Sequence, residues 1–373
     1  MSKKKVLIVM GTRPEVIKLA PIVRAVKEKG AGSMEAVVLV TAQHRELLDQ
    51  TLDVFNIVPD YDLNLMSKDQ SIAAVCVGVL EGVEKVIKKE RPDVVVVQGD
   101  TTTTFAAALS AFYNKVKVAH VEAGLRSWDI FDPYPEEVNR SLISRFSDFN
   151  FCPTETAKKN LIAENINEKT IFVTGNTVID ALEEALKIPK ELNRGILGNF
   201  NPDIDNMVLL TMHRRESFGE PMERVFGALL KLVEKNKDVK VIFPVHPNPS
   251  VKKAAEEILA GNENIRLVAP LPYLDFINVM KLSRLIITDS GGVCEEAPSL
   301  GKPVLLIREV TERPEAITAG TAILVGTNPE RIITSVEKLI GDKKEFEKFQ
   351  NVTNPFGDGA AALMIVNILS EIL

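Results

Sequence analysis

Several features that mark other protein classes are scarce in this sequence. It contains only three cysteines in 373 residues (Cys76, Cys152 and Cys294), far apart and without the C-x-x-C spacing of a redox or metal site. We therefore expect reduced thiols in a cytoplasmic protein. No apolar run approaches the ~20 residues that span a bilayer. The apolar run near the N-terminus stops at residue 10, too early for a signal peptide.

An excess of positive charge is also absent. The 51 acidic residues outnumber the 45 basic ones, for a net charge of −6, which argues against a nucleic-acid surface or a polybasic membrane patch. The four histidines include no pair at metal-ligand spacing, so we predict no metal. Neither GxGxxG nor GxxxxGKS/T occurs at a strand-to-helix turn, which disfavours a classical NAD site or P-loop, and we predict no cofactor.

What the chain does have is a regular alternation of short Val/Ile-rich runs with windows of helical periodicity. The runs cover 6–10, 36–40, 93–98, 116–123 and 171–176, and then 207–213, 239–246, 265–268, 285–288, 303–307 and 322–326. Continuous apolar runs are typical of strands buried on both faces, and therefore of parallel sheets with helices on each side.

The alternation lapses at 187–206, where Pro, Asn and Gly accumulate, and then restarts. Because the chain is longer than one core usually supports, we predict an α/β protein with two doubly wound, Rossmann-like domains and a cleft between them. The first covers 1–186 together with a C-terminal helix at about 359–373, and the second covers 187–358.

Charged residues follow the first strand, at the sheet edge where open parallel sheets bind ligands. Arg13 and Lys18 have two readings. They bind a phosphate, or they are surface cations of a helix that Pro14 starts.

Three carboxylates follow later strands of the first domain. Asp100 comes after four valines and is either a helix cap or an acid–base group. Glu122 ends the next strand. Glu136 opens a helix, where acids are common and where Arg140 has the spacing of an ion pair. As a set, Asp100, Glu122 and Glu136 resemble the paired carboxylates of acid–base enzymes.

The second domain supplies a different set. His213 leaves a strand beside two arginines, which favours a functional role over a structural one. Ser290, Gly291 and Gly292 precede a helix and offer amides to a phosphate, with Arg313 as a second cation. Glu296, one turn further on, would accept hydrogen bonds from sugar hydroxyls. Together these residues predict a nucleoside diphosphate site.

These segments, in this order, closely resemble a known family. They are GTRPE, QGDTTT, HVEAGLRS, PEEVNR, HRRES, TDSGG, EEAPSLGKPVL, TERPEA, TAGT and NPFGDG, from residue 11 to beyond 350. The family is that of the non-hydrolysing UDP-N-acetylglucosamine 2-epimerases, and the resemblance covers nearly the whole chain.

The resemblance implies a glycosyltransferase-B fold, a homodimer, and interconversion of UDP-GlcNAc and UDP-ManNAc through elimination and re-addition of UDP, without nicotinamide or metal. It assigns acid–base roles to Asp100, Glu122 and Glu136 and a functional role to His213. The implied UDP-binding set is Arg13, Lys18, Ser290, Gly291, Gly292, Glu296 and Arg313, with Phe276 near the uracil.

The chain departs from the family pattern in places. Glu46, in QHRE at 43–46, and the stretch 67–69 differ from the residues with which some members bind a second, regulatory UDP-GlcNAc; Leu271 stands where some have Gln. Alternatives are a 2-epimerase of UDP-2,3-diacetamido-glucuronate, a retaining glycosyltransferase, a hydrolysing epimerase or a nucleotide-sugar sensor.

Overall fold

The computed structural model describes residues 3–30, 32–41, 45–65 and 70–373. Gln43, His44 and residues 67–69 lie outside the described residues, as do the side chains of Arg45 and Glu46. Unit 1 comprises Met1–Lys187 with Phe356–Leu373, and unit 2 comprises Ile188–Pro355. None of the described helices is both long enough and apolar enough to cross a bilayer.

Unit 1 is built on a seven-stranded sheet in which every pairing is parallel. Its strands are β1 (Lys4–Met10), β2 (Met34–Val40), β3 (Tyr61–Asp62), β4 (Val94–Gln98), β5 (Lys117–Val121), β6 (Phe149–Cys152) and β7 (Ile171–Val173). They lie in the order β3-β2-β1-β4-β5-β6-β7. The chain builds outward from β1 in one direction and from β4 in the other, so these two central strands mark the switch point of the sheet.

Helices cover both faces of this sheet, because its strands are apolar on both sides. Val94, Val95, Val96 and Val97 all have 0% exposure, and each buried valine contributes about 2 kcal/mol. The described helices of this part are α1 (Arg13–Glu28), α2 (Arg45–Val54), α3 (Ile72–Glu90), α4 (Thr102–Tyr113), α5 (Glu136–Phe146), α6 (Glu155–Ala163) and α7 (Thr177–Leu186), with a 3₁₀ turn at Glu168–Thr170.

Unit 2 is also built on a parallel sheet, here of six strands. They are β8 (Asn206–Thr211), β9 (Val239–Pro244), β10 (Ile265–Val268), β11 (Leu285–Thr288), β12 (Val304–Leu306) and β13 (Ala322–Leu324). The order β10-β9-β8-β11-β12-β13 places the switch point between β8 and β11. Two Rossmann-like sheets confirm the predicted α/β class.

The helices of unit 2 are α8 (Arg194–Leu197), α9 (Glu220–Lys235), α10 (Pro249–Leu259), α11 (Tyr273–Leu282), α12 (Gly291–Glu296), α13 (Pro314–Thr318), α14 (Pro329–Gly341) and α15 (Lys343–Gln350), with 3₁₀ turns at Arg215–Ser217 and Ala297–Leu300. The last helix, α16 (Ala361–Ile372), packs on α1 and α7 of unit 1. Asp180 Oδ1 accepts a hydrogen bond from the Ala362 N–H at 2.9 Å and so caps the start of α16.

Candidate functional site

The loops that follow β1 and β4 are joined by one carboxylate, Glu15, which is 1% exposed. Its Oε2 accepts hydrogen bonds from the N–H groups of Gly11 at 2.8 Å and Thr12 at 2.5 Å. Its Oε1 accepts from the hydroxyls of Thr101 at 2.8 Å and Thr104 at 2.7 Å. These donors make the buried charge tolerable. Glu15 thereby sets the two loops at the switch point of unit 1.

The close approach of these loops explains Gly11. A Cβ atom at this position would lie 2.5 Å from Thr103 Oγ1, so no larger residue fits without displacing the start of α4. Thr12 caps α1 and Pro14 lies in its first turn. Arg13 begins the helix and is half-buried, which places this predicted phosphate ligand at the carboxyl edge of the sheet.

Asp100, in the turn after β4, has a carboxyl group that holds a proton unusually well. Although 28% of the side chain is exposed, burial raises its pKa to about 6, and the charges of Glu122 and Glu136 add to the rise. Arg140 opposes it, with Nη1 3.3 Å from Asp100 Oδ2. The charges of both glutamates act on the pKa of Asp100, so the three predicted carboxylates lie near one another in unit 1.

Glu122 follows β5 in a left-handed backbone conformation, with φ of +64°. Such a conformation is uncommon outside glycine and is concentrated at functional sites. The carboxylate is 7% exposed and accepts hydrogen bonds from Lys18 Nζ, Gln98 Nε2 and Asn176 Nδ2, the last at 2.9 Å. Since these donors stand on α1, on β4 and at the cap of α7, three separate elements orient Glu122.

The contact of Lys18 with Glu122 bears on its predicted role in phosphate binding. The Lys18 side chain is 10% exposed and forms an ion pair with Glu122. In this position the ammonium stabilises the ionised carboxylate and also lowers the pKa of Asp100. The geometry therefore favours control of the carboxylates, while phosphate binding by Lys18 stays a prediction.

The first turns of α5 bring further side chains to Asp100. Glu136 begins the helix, and Asn139 Nδ2 donates to the carbonyl oxygen of Asp100 at 2.9 Å. The ion pair that the spacing of Glu136 and Arg140 suggests is replaced by others: among the described residues, Arg140 pairs with Glu137 and Asp100. Arg140 therefore does not neutralise Glu136.

In unit 2 the segments after β8 and β11 are joined by Asp289, which is fully buried. Its Oδ2 accepts hydrogen bonds from the N–H groups of His213 and Arg214, both at 2.9 Å, and from Ser217 Oγ at 3.1 Å. Burial alone would raise the pKa of Asp289, but the contacts with His213 and these donors lower it. His213 Nδ1 lies 3.1 Å from Asp289 Oδ1, an arrangement that orients the imidazole and leaves Nε2 for other contacts.

Arg313 lies across the start of α12. A Cβ atom at Gly291 would be 2.3 Å from Arg313 Nη1, so glycine is what permits this approach. Arg313 Nε donates to Glu295 Oε1 at 2.6 Å, and Glu295 is 1% exposed. The neighbouring acid, Glu296, instead accepts from the Tyr273 hydroxyl at 2.9 Å. The two adjacent acids thus have separate tasks, one on the arginine and one beside α11.

The remaining predicted nucleotide ligands belong to the same edge of unit 2. The Ser290 N–H donates to Thr288 Oγ1 at 2.8 Å, and a Cβ at Gly292 would meet no atom closer than Ser290 Oγ at 4.0 Å. Phe276 lies in the first turn of α11 and is half-buried, while Leu271, just before α11, is buried.

A cluster of arginines surrounds Glu312. Arg308 Nη1 donates to Glu312 Oε2 at 2.5 Å, and Arg214 Nη1 donates to Oε1 at 3.4 Å. Burial opposes ionisation of Glu312, but the charges of Arg313, Arg214 and Arg308 together hold its pKa at about 2. These three guanidinium groups are held together by Glu216, Glu295 and Glu312, and their remaining N–H groups are the donors that this region offers to an anionic ligand.

Comparison with known proteins decides the family. A family model described as UDP-N-acetylglucosamine 2-epimerase matches residues 25–370. The UDP-N-acetylglucosamine 2-epimerase of Escherichia coli K12 is 47% identical over 373 residues, covering 98% of each chain. This chain belongs to the UDP-N-acetylglucosamine 2-epimerase family.

Solved structures of the UDP-N-acetylglucosamine 2-epimerase family share the fold. The Neisseria meningitidis enzyme, bound to UDP-GlcNAc, is 44% identical with a TM-score of 0.92, over 98% of this chain and 100% of that one. The Methanocaldococcus jannaschii enzyme, in complex with UDP-GlcNAc and UDP, is 40% identical with a TM-score of 0.84, over 98% and 99%. The predicted glycosyltransferase-B fold is thus confirmed by membership of the family.

Within the epimerase motifs, the sequence interpretation missed residues that organise the site. Glu15 could have been found, because Thr12 and Glu15 have the spacing of a capping box, and the structure contains its bond from the Thr12 N–H to Glu15. Asp289 and Glu295 carry no such local signal, since their partners come from distant segments. In the described part of the chain, no cluster of His, Cys, Asp or Glu is arranged to hold a metal ion.

Proposed function

We propose that this protein interconverts UDP-N-acetylglucosamine and UDP-N-acetylmannosamine by inverting the configuration at C2 of the sugar. Family membership supports the substrate. The observation that carries the chemistry is the set of three neighbouring carboxylates in unit 1, one of which has a pKa of about 6. A group that titrates near neutrality can both accept and return a proton.

The proposed reaction is an elimination followed by re-addition. A carboxylate removes the C2 proton, the released electron pair forms the C1–C2 double bond, and the C1–O bond breaks with both electrons leaving on UDP. UDP then returns to C1 while a second carboxylic acid protonates C2 from the opposite face. Asp100, Glu122 and Glu136 are the proposed acid–base groups. The sequence of steps is redox-neutral, so it requires no nicotinamide.

Unit 2 is proposed to hold UDP. The Arg313 guanidinium and the amides of Gly291 and Gly292 suit the diphosphate, whose negative charge grows as it leaves; such stabilisation is typically worth several kcal/mol. Glu296 is proposed for the ribose and Phe276 for the uracil. The remaining proposed ligands or functional groups are Arg13, Lys18, Ser290 and His213.

Incubation with UDP-GlcNAc in deuterated water, followed by NMR, tests the proposal. The expected result is UDP-ManNAc with deuterium at C2, formed without added nicotinamide. Both product and recovered substrate should acquire the label, because the acid that protonates C2 exchanges its proton with solvent and the reaction runs in both directions. Unlabelled product, release of free sugar, or dependence on an acceptor sugar would contradict it.

We also propose a homodimer. Within unit 1, helix α3 packs against α4 and α4 packs against α5. These three helices expose apolar side chains that a second copy would cover. The residues and their exposures are Ile72 48%, Val77 54%, Phe112 52%, Tyr113 64% and Leu142 44%. Light scattering should give twice the chain mass, and Phe112→Asp should give a monomer. A monomeric wild type would contradict this proposal.

We also propose a cytoplasmic location, because a reducing compartment suits free thiols. Cys76, Cys152 and Cys294 are all free. Burial raises the pKa of the Cys152 and Cys294 thiols to about 12, so these two side chains are unreactive core residues.

A further inference from the structure

The turn that carries Asp100 is held at three consecutive carbonyl groups, each of which accepts a hydrogen bond from a different side chain. The bonds run from Thr104 Oγ1 to Gln98 at 2.7 Å, from His120 Nε2 to Gly99 at 2.7 Å, and from Asn139 Nδ2 to Asp100 at 2.9 Å. Because the donors stand on α4, β5 and α5, the turn is fixed from three directions.

His120 makes the middle contact, at the residue that precedes Asp100. Gly99 has a φ of +75°, and its N–H donates to the Val121 carbonyl at 3.0 Å. Gly99 is therefore bonded to β5 through both its N–H and its carbonyl oxygen. A rotation of the Gly99 backbone would move the Asp100 carboxyl group. The His120 contact therefore restrains the orientation of that carboxyl group.

The contact specifies the tautomer of His120. A carbonyl oxygen only accepts, so Nε2 must carry the proton. Burial, and secondarily the charge of Arg126, lowers the pKa of this fully buried histidine to about 4, although the Gly99 carbonyl and Glu122 act in the opposite direction. His120 is therefore neutral near pH 7, and its Nδ1 is a bare acceptor. Nδ1 has no hydrogen-bond partner among the described residues.

Asn150 is the neighbour that can hold the missing donor in place. It pairs with His120 in the register of β5 and β6, so the two side chains leave the same face of the sheet on strands about 4.8 Å apart. Asn150 is fully buried, and within the described chain neither its Nδ2 nor its Oδ1 has a partner. Buried polar groups of this kind are normally satisfied, directly or through an ordered water molecule.

We propose that His120 is a positioning residue for Asp100, which it serves by holding the Gly99 carbonyl with its Nε2–H, while Asn150, opposite His120 on the next strand, is the polar group that an ordered water molecule would link to Nδ1. This inference rests on the proposed role of Asp100 in proton transfer. Loss of the donor would leave the Gly99 carbonyl unsatisfied and free the turn to rotate. A displacement of 1 Å at a reacting group can lower a rate by about 10²-fold.

Three substitutions test the geometry of the donor. His120→Phe removes it, His120→Asn places an amide nitrogen too close to the strand, and His120→Gln returns an amide nitrogen near the position of Nε2. We expect the Phe and Asn variants to lose about 10- to 100-fold in kcat for C2 deuterium exchange, and the Gln variant to recover most of it. UDP affinity should stay constant in all three.

Titration of the Asp100 carboxyl by carbon-13 NMR provides a readout that needs no activity. Its pKa should move away from about 6 in the Phe and Asn variants and return in the Gln variant. If the wild type catalyses no exchange, the proposed function fails, but this titration still decides the positioning role. If the Phe variant does not fold, the Asn and Gln variants carry the same comparison.

Val118→Ala is the matched control, because Val118 is buried on the same strand and the same face but lies opposite Val95, three residues before the first carbonyl of the turn. It should lower stability and leave kcat and the Asp100 titration unchanged. The positioning role is wrong if His120→Gln is as impaired as His120→Phe. It is also wrong if Val118→Ala loses as much kcat at an equal loss of stability.

Discussion

The two units share one scaffold but differ in the charged side chains at the carboxyl edge of their sheets. In each, a parallel sheet reverses its strand order beside its first strand, and one buried carboxylate joins the two loops at that point: Glu15 in unit 1 and Asp289 in unit 2. Around this common feature, unit 1 holds the three carboxylates predicted for proton transfer, and unit 2 holds three arginines around Glu312. The fold provides the place, whereas the residues at the strand ends provide the chemistry.

Asp100 and Glu312 show the difference most directly. Burial raises the pKa of both side chains, yet the pKa of Asp100 is about 6 and that of Glu312 about 2. At Asp100 burial is the largest influence, and two carboxylates oppose the cations Arg140 and Lys18, whereas at Glu312 three arginines outweigh burial. The balance between burial and neighbouring charge therefore decides whether a buried acid keeps its proton. An acid of the first kind can transfer protons, and one of the second kind can only hold its cations in place.

The largest expected effect comes from Asp100→Asn, which keeps the shape of the side chain and removes its ability to take a proton. We expect C2 deuterium exchange to fall by about 10² to 10⁴-fold, while UDP affinity measured by calorimetry is retained. Asp53→Asn, an exposed carboxylate of the same unit, is the control and should be silent. If Asp100→Asn lost UDP affinity along with deuterium exchange, the assignment of proton transfer to unit 1 and of UDP binding to unit 2 would be wrong.

Arg313→Gln should do the reverse. We expect UDP affinity to fall about 10- to 100-fold, the equivalent of roughly 1.5–3 kcal/mol for a charged hydrogen bond. Unit 2 should also lose stability, because the buried Glu295 loses the guanidinium that balances its charge. Adding Glu295→Gln should restore the melting temperature but not UDP binding. Arg194→Gln, at an exposed arginine of the same unit, should change neither, and recovery of UDP affinity in the double variant would contradict this role.

A smaller effect is expected on the pKa of Asp100 itself. Removing the negative charge of Glu136 with Glu136→Gln should lower it, and removing the positive charge of Arg140 with Arg140→Gln should raise it. Carbon-13 titration measures both shifts, and the acid limb of kcat/KM should follow them. An unchanged pKa in both variants would mean that burial alone governs Asp100.

The smallest effect concerns Asp180, a buried carboxylate of unit 1 away from these loops. Burial raises its pKa to about 6, above the unfolded value, so the folded state binds more protons between about pH 4 and 6. Its contribution to stability is complete below that window and is lost as the pH rises through it. Asp180→Asn keeps the acceptor for the Ala362 N–H and should flatten this slope in chemical denaturation. An unchanged slope would contradict the assignment.

Much of the fold could be predicted from periodicity. The Val-rich run before Asp100 could only be a strand with both faces buried, and it became β4. The strands that the patterns did not predict are β3, of two residues, and β6, where Asn150 interrupts the apolar sequence. A polar residue in the middle of a four-residue strand hides the run on which such a prediction depends.

The candidate site also has features that the sequence could predict and features that it could not. Residue types at the ends of the strands predicted Asp100, Glu122 and His213 as candidates, since the carboxyl edge of a parallel sheet is where ligands bind. Pairing was not predictable. Lys18 and Glu122 are 104 residues apart, and nothing in their local sequences indicates that the cation would join the acid.

The sequence by itself determined the alternation of strands and helices and the chemical groups at each strand end, because both depend on neighbours a few residues away. Only the tertiary structure decided the protonation of those groups. The pKa of an acid depends on which charges and how much water surround it, and those surroundings come from segments that meet only when the strands are laid side by side. Asp100 and Glu312 are both acids in the sequence, and folding gives their carboxyl groups different pKa values.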